Sequence, residues 1–311
     1  MADVTHREID VNGLRMHVAE RGEGPLVVLL HGFPESWYSW RHQLAALGDA
    51  GFRAVAPDQR GYGGTTRPEA IDRYTLLDLV GDVVGLVAAL GEQRAIVVGH
   101  DWGAPVAWHT ALLRPDLVAG VAGLSVPFTP RMPQSPMAGW RAAFGDRFYQ
   151  VYFQEPGVAE RELEADVRET MRRLLIGASG DRPAPDGDGE RLPAGVLPKG
   201  GGFLDTLRAT DQLPGWLTED DLDVYAGEFS RTGRSTSAGC GCTSPRAARA
   251  RSSCCSTASP IHGTRGGTRS KRSRARGSAS SRPTSAGTAR PTPPRRSTAT
   301  RSSTSSATSS A

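Results

Sequence analysis

From Arg234 to Ala311 the chain holds one residue from the set Ile, Leu, Val, Met, Phe, Trp and Tyr, namely Ile261, and no Asp or Glu. That break limits what can fold. Ordering each residue costs about 1 to 2 kcal/mol of backbone entropy, and a stretch without large apolar side chains has no burial to offset it. Residues 234–311 are therefore expected to be a low-complexity, disordered tail, and any fold must come from residues 1–233. The charges divide at the same point. Of 37 basic and 33 acidic residues, the tail takes one Lys and fourteen Arg, leaving 22 basic against 33 acidic before it. All four cysteines (Cys240, Cys242, Cys254, Cys255) also lie in the tail, in spacings of neither a zinc site nor a disulfide framework.

Met1 to Asp10 carries charges and no long apolar run, which speaks against a secretory signal, and no segment reaches eighteen apolar residues. The expected setting is cytoplasmic, without a membrane partner. Glu8 to Val11, an Asn12-Gly13 turn and Leu14 to Ala19 read as a β-hairpin, because Asn-Gly supplies the positive φ angles of a tight turn. Apolar runs at Leu26–Leu30, Phe52–Ala56, Ala95–Val98 and Val118–Val126 suit strands covered by helices on both faces of a mainly parallel sheet. Between them, Tyr74 to Leu90 has apolar residues at helical spacing and ends at Gly91, and a second helix is expected from Ala104 to about Leu113. This alternation predicts a three-layer α/β core over residues 1–128. From 129 to 233 the pattern turns to helical pieces broken by Pro and Gly, which predicts an inserted helical lid. Within it, Val158 to Ile176 reads as one amphipathic helix, Gly177 to Gly202 as a polar loop and Thr218 to Phe229 as a short capped helix.

The segment Gly99-His100-Asp101-Trp102-Gly103 has the small-x-nucleophile-x-small form of a nucleophile elbow, with Asp where esterases carry Ser. A carboxylate is a poor acyl-transfer nucleophile, but it opens a strained ring or displaces halide at carbon, leaving an alkyl ester on the enzyme. At the start of the following helix, the dipole and free N–H groups are expected to keep Asp101 ionised. The plain alternative is an Asp that only caps a helix. A second element, His31-Gly32-Phe33-Pro34-Glu35-Ser36-Trp37, follows a buried strand and places the Phe33 N–H where it could join that of Trp102 as an oxyanion hole. Asp58-Gln59-Arg60-Gly61-Tyr62-Gly63 reads as a structural turn.

These motifs, together with Ser125-Val126-Pro127-Phe128, resemble in order those of the soluble epoxide hydrolase family, from about Val4 to Gly233. The resemblance implies an α/β-hydrolase fold, a cis Phe33-Pro34 peptide and Asp101 as the nucleophile. It also implies that Phe33, Trp102, His31, Pro34 and Gln150 surround the oxyanion and substrate, and that Tyr149, in Phe148-Tyr149-Gln150-Val151-Tyr152-Phe153, donates a proton to the opening epoxide. A phenol suits that role, being an uncharged donor near neutrality; the alternative is that Tyr149 and Tyr152 are packing aromatics, which is the reading kept for Tyr152. The implied partners are a small hydrophobic epoxide and water, with no metal and no cofactor. Haloalkane dehalogenases share the Asp-Trp pair, but Phe33 stands where they carry Asn or Glu.

The resemblance also calls for a second lid tyrosine, a late carboxylate and a water-activating histidine. Here the last Tyr is Tyr225, the last acidic residue Glu228, and the one late histidine, His262, lacks the family's neighbours. The last strands of the fold are missing as well. The expectation is an Asp101 that forms the ester and stalls, or a relic that only binds a hydrophobic ligand. A flexible Arg-rich tail could bind nucleic acid, but its irregular Arg spacing and lack of aromatics argue against that, and no nucleic-acid partner is expected. Abrupt replacement of apolar and acidic residues by Arg, Ser, Ala, Gly, Pro and Thr is what a GC-rich gene yields when translated out of frame. The nucleotide sequence across codon 233 tests this: another frame should encode a Trp-Tyr-Arg-Asn-like segment and a late Asp and His, and finding neither in any frame ends the idea.

Overall fold

The alternating burial of three parallel strands decides the architecture. In β3 (Leu26–Leu30), Leu26, Val28 and Leu30 join one apolar cluster while Val27 and Leu29 join another. In β4 (Arg53–Pro57), Val55 faces the first cluster and Ala54 and Ala56 the second. β5 (Ala95–His100) continues the pattern, with Ala95 and Val97 on one side and Ile96 and Val98 on the other. Successive strand side chains point to opposite faces, so a strand apolar on both needs helices on both. Helices α2 (Leu76–Ala89) and α3 (Gly103–Leu113) supply one layer through Leu79, Val83, Leu86, Val87, Val106 and Ala107; α1 (Arg41–Asp49) supplies the other through Leu44.

The computed structural model describes residues 4–182, 192–207 and 212–234, all within one compact unit. Its six strands run in the order β1-β2-β4-β3-β5-β6. The hairpin of β1 (Thr5–Val11) and β2 (Leu14–Arg21) is antiparallel, turns at Asn12 and Gly13 with φ of 49° and 75°, and joins β4 antiparallel; β4, β3, β5 and β6 (Val118–Leu124) are mutually parallel. This is the mainly parallel α/β sheet expected. After β6, among the described residues, only helices follow as regular elements: α4 (Pro136–Phe144), α5 (Tyr149–Tyr152), α6 (Val158–Leu163), α7 (Val167–Gly177) and α8 (Glu219–Arg234). α5 to α8 share an apolar cluster built on Phe153, Met171, Ile176, Phe203, Leu222 and Phe229, while α4 packs through Met137, Trp140 and Phe144 against Phe148, Val151 and Val196.

Four details differ from the sequence reading. Val158 to Ile176 is two helices, because the Asp166 carboxylate accepts the Glu169 N–H and caps a fresh start. The capped helix foreseen from Thr218 to Phe229 is present and runs on to Arg234. Its Thr218 and Asp221 hydrogen-bond each other's backbone N–H in a capping box. Helices α1 and α4, which lack a clear apolar stripe, were not foreseen. Finally, β6 is not buried on both faces: every residue from Val118 to Leu124 is exposed or half-buried, since no described strand lies beyond it. The tail from 235 onward, with His262, lies outside the described residues.

The turn after β4 is a scaffold, as expected. Arg60 is fully buried and forked onto Asp82 of α2, Nε to Oδ2 at 2.8 Å and a terminal nitrogen to Oδ1 at 2.6 Å, while Asn12 of the hairpin donates to the same carboxylate at 2.8 Å. One buried ion pair thus ties hairpin, turn and helix. Removing one partner strands the other charge, so Asp82→Ala should lower unfolding free energy by about 3 to 5 kcal/mol in denaturant titration; a loss under about 1 kcal/mol would show that the pair does not hold these elements.

Candidate active site

Asp101 sits at the end of β5 with φ of 48°, a left-handed conformation that costs a non-glycine residue about 1 to 3 kcal/mol. Its neighbours explain how the turn is tolerated. A Cβ on Gly99 would lie 2.1 Å from the Gly103 carbonyl oxygen, and one on Gly103 would lie 2.2 Å from that of Leu30. The small residues on either side of Asp101 are therefore demanded by backbone meeting backbone.

Parallel pairing sets Leu30 beside Gly99, so the loop leaving β3 emerges next to Asp101. There the Phe33 N–H donates to Asp101 Oδ1 at 2.9 Å, and the Trp102 N–H also reaches the carboxylate. Gly32 packs so closely that a Cβ would stand 2.6 Å from Oδ1. The Phe33-Pro34 peptide is cis, as the resemblance implied. Burial pushes the Asp101 carboxyl above the usual carboxylate range, and the Phe33 and Trp102 amides pull the other way without overcoming it. The expectation that amides and helix dipole simply keep Asp101 ionised therefore understates desolvation.

Two neighbours were quoted in the motifs without a role. Glu35 Oε2 accepts the Gly32 N–H at 2.9 Å and lies 3.2 Å from His100 Nδ1. Burial pushes the Glu35 carboxyl up, but its bond and attraction to His100, together with the Gly32 N–H, hold it below the ordinary value; the same bond raises the His100 imidazole despite its burial. A carboxylate three residues after Gly32 and a histidine just before Asp101 are the sequence signal for this pair.

His31 departs from the expectation. It is fully buried, its Nε2 accepts the Gln59 N–H at 3.0 Å, and its Nδ1 lies 2.8 Å from the Gly32 carbonyl. Burial pushes its imidazole pKa down, so the neutral ring carries its proton on Nδ1 and donates it to Gly32. It braces the loop and leaves no nitrogen for a substrate. Pro34 is likewise buried.

Phe33 and Trp102 both pack against the apolar cluster of the later helices, as do Tyr149 and Tyr152. The Phe153 ring lies 5.6 Å from that of Phe33 and 5.8 Å from that of Tyr149, linking the two sides. Gln150 Nε2 donates to the Tyr149 hydroxyl at 3.1 Å. Tyr152 is committed elsewhere, its hydroxyl donating to Glu162 at 2.8 Å. The later helices are also held to the core by α8. Tyr38 donates to Asp221 at 2.8 Å, which pushes its hydroxyl pKa, already raised by burial, up to about 12; Arg41 reaches Asp221 at 3.1 Å, and Ser39 lies 3.2 Å from the Tyr225 hydroxyl. Among the described residues no group of three or more His, Cys, Asp or Glu is placed to hold a metal, and no helix is long and apolar enough to cross a membrane.

Known proteins place this arrangement. The alpha/beta hydrolase fold family matches residues 25–175. Epoxide hydrolase A of Mycobacterium tuberculosis is 49% identical over 236 residues, 75% of this chain and 72% of that protein. The chain belongs to the epoxide hydrolase family of the α/β-hydrolase fold. Epoxide hydrolase 3 of Siraitia grosvenorii is 45% identical over 75% of this chain and 70% of its own length. Among solved structures, epoxide hydrolase A from Mycobacterium thermoresistibile superposes with a TM-score of 0.69 at 43% identity, covering 82% of this chain and 76% of its own. An epoxide hydrolase from an endophytic Streptomyces gives 0.70 at 44% identity, covering 82% and 73%.

The Glu35–His100 pair makes a measurable claim. In the intact chain the His100 imidazole should titrate above the ordinary histidine value of about 6.5, and in Glu35→Gln the midpoint should fall, as read by NMR of labelled histidine. An unchanged midpoint would mean that Glu35 does not hold the proton there.

Proposed function

We propose that Asp101 attacks an epoxide carbon to form an alkyl-enzyme ester, and that in this chain the ester accumulates because its hydrolysis is impaired. The observation that carries this reading is the Phe33 N–H on Asp101 Oδ1 at 2.9 Å. With Oδ1 held by the Phe33 amide, Oδ2 is the attacking atom in this reading. Attack forms a C–O bond to that oxygen and breaks the strained ring C–O bond, and the ring oxygen leaves as an alkoxide. Tyr149 protonates it and recovers its proton from water. Strain relief drives a step that an open ether would not undergo. Water must then attack the ester carbonyl, where the Phe33 and Trp102 amides would carry the developing negative charge. That step needs a base, and no acidic residue follows Glu228. The helical stretch 129–233 acts in this reading as a lid over the small hydrophobic epoxide, bringing Tyr149 and Gln150 to it. The protein is placed in the cytoplasm, as its sequence suggests, and nucleic acid is not a partner.

A second reading, a fold that binds a hydrophobic ligand without chemistry, is favoured by the same missing carboxylate. Incubation with styrene oxide and intact-protein mass measurement separates the two. The first reading expects a covalent adduct, absent in Asp101→Asn and slower to form in Tyr149→Phe by on the order of 10²- to 10⁴-fold. Because only the ionised carboxylate attacks and burial raises its pKa, the adduct rate should climb with pH through a midpoint above the ordinary Asp value of about 3.9. No adduct at any pH, with ligand binding retained, supports the second reading instead.

A further inference from the structure

The two outer strands of the sheet are built very differently. Strand β1 carries His6, Arg7, Glu8 and Asp10 in seven residues, charges that discourage another strand from pairing there. Strand β6 reads Val118-Ala119-Gly120-Val121-Ala122-Gly123-Leu124, with no charge and no proline. Among the described residues no strand pairs with its outer side.

The direction of its backbone groups follows from one bond. The Leu124 carbonyl accepts the Asp101 N–H at 3.2 Å and so points toward β5. Alternate residues point alike, so over the regular register from Gly120 to Leu124 the N–H and C=O of Val121 and Gly123 point outward; the alternation stops at Ala119, which the register with β5 skips. One face of β6 is filled: a Cβ on Gly123 would meet Trp108 of α3 at 2.5 Å. On the opposite face Ala122 and Leu124 are exposed. Of the seven large apolar side chains exposed among the described residues, five fall between residues 112 and 132: Leu112, Leu113, Leu124, Phe128 and Met132.

We propose that the outer edge of β6 is a self-association surface, on which two copies of this chain pair antiparallel about Ala122. The 77 residues after Arg234 offer only Ile261 as a large apolar residue, whereas a second copy presents the same uncharged edge. A two-fold axis through Ala122 matches outward groups to outward groups, Val121 with Gly123 of the other copy and Gly123 with Val121. That pairing forms about four N–H···O bonds. It keeps both copies of Leu124 and Ala122 on the same face and joins two sheets into one, a closed isologous contact.

Sedimentation equilibrium of the full chain in reductant, across a wide concentration range, tests this. The result expected is a reversible dimer whose dissociation constant rises about tenfold or more in Leu124→Lys and in Val121→Pro, the latter removing one outward N–H. Leu77→Lys, which changes an exposed leucine on α2, should leave the dimer unchanged. Amide hydrogen exchange of the unaltered chain gives a check independent of any variant: Val121 and Gly123 should become slower to exchange as concentration rises. A chain monomeric at every concentration, a dimer weakened by neither β6 variant, or association without slowed exchange at those two amides overturns the proposal.

Discussion

The site depends on two parallel strands ending side by side. Because Leu30 pairs with Gly99, the loop after β3 and the turn after β5 leave the sheet together, and the Phe33 amide meets the Asp101 carboxylate only for that reason. The close approaches at Gly99 and Gly103 let the turn be sharp enough to lift Asp101 out of the strand. A shift of one residue in the pairing would turn every buried side chain of β3 to the other layer. The register that builds the core is thus the register that builds the site.

Three carboxylates cluster at these loop ends, and the protein treats them differently. Asp58 is buried, yet its bond to the His17 imidazole at 2.7 Å and the Trp37 and Gly64 amides hold it below the ordinary value. Glu35 is held low by His100. Asp101 receives only backbone N–H groups and is the one whose pKa rises. Amides steady a carboxylate without neutralising it, whereas a cation bound face to face would cancel its charge. The two histidines at these loop ends bond to the other carboxylates instead, His100 to Glu35 and His17 to Asp58.

Much of this was legible in the sequence because backbone constraints write themselves in small residues and apolar runs. The continuous run Leu26–Leu30 and the Gly99-x-Asp101-x-Gly103 spacing each reflect a steric demand with few solutions. Less legible were interactions between distant polar side chains, such as Glu35 with His100 or Tyr38 with Asp221, since many surface positions carry the same residue types without such partners. The fate of β6 was misread for a different reason. Val118–Val126 has the composition of a strand buried on both faces, but a strand is buried only where later elements cover it, and residues 234–311 lack the side chains to do so. The role of His31 was misjudged because a histidine in an active-site motif and a histidine bracing that motif look the same on the page.

The bonds from Tyr38, Ser39 and Arg41 to α8 bear on how the molecule emerges from the ribosome. Tyr38 and its partner Asp221 are 183 residues apart, so at about 5 to 20 residues per second the nascent core waits roughly 10 to 40 s with that anchor unoccupied. Strands β1 to β6 are complete well before then, while the aromatic surface around Phe33 and Trp102 still faces water. In this protein the interval between finishing the sheet and closing its top is the period in which a chaperone would find something to hold.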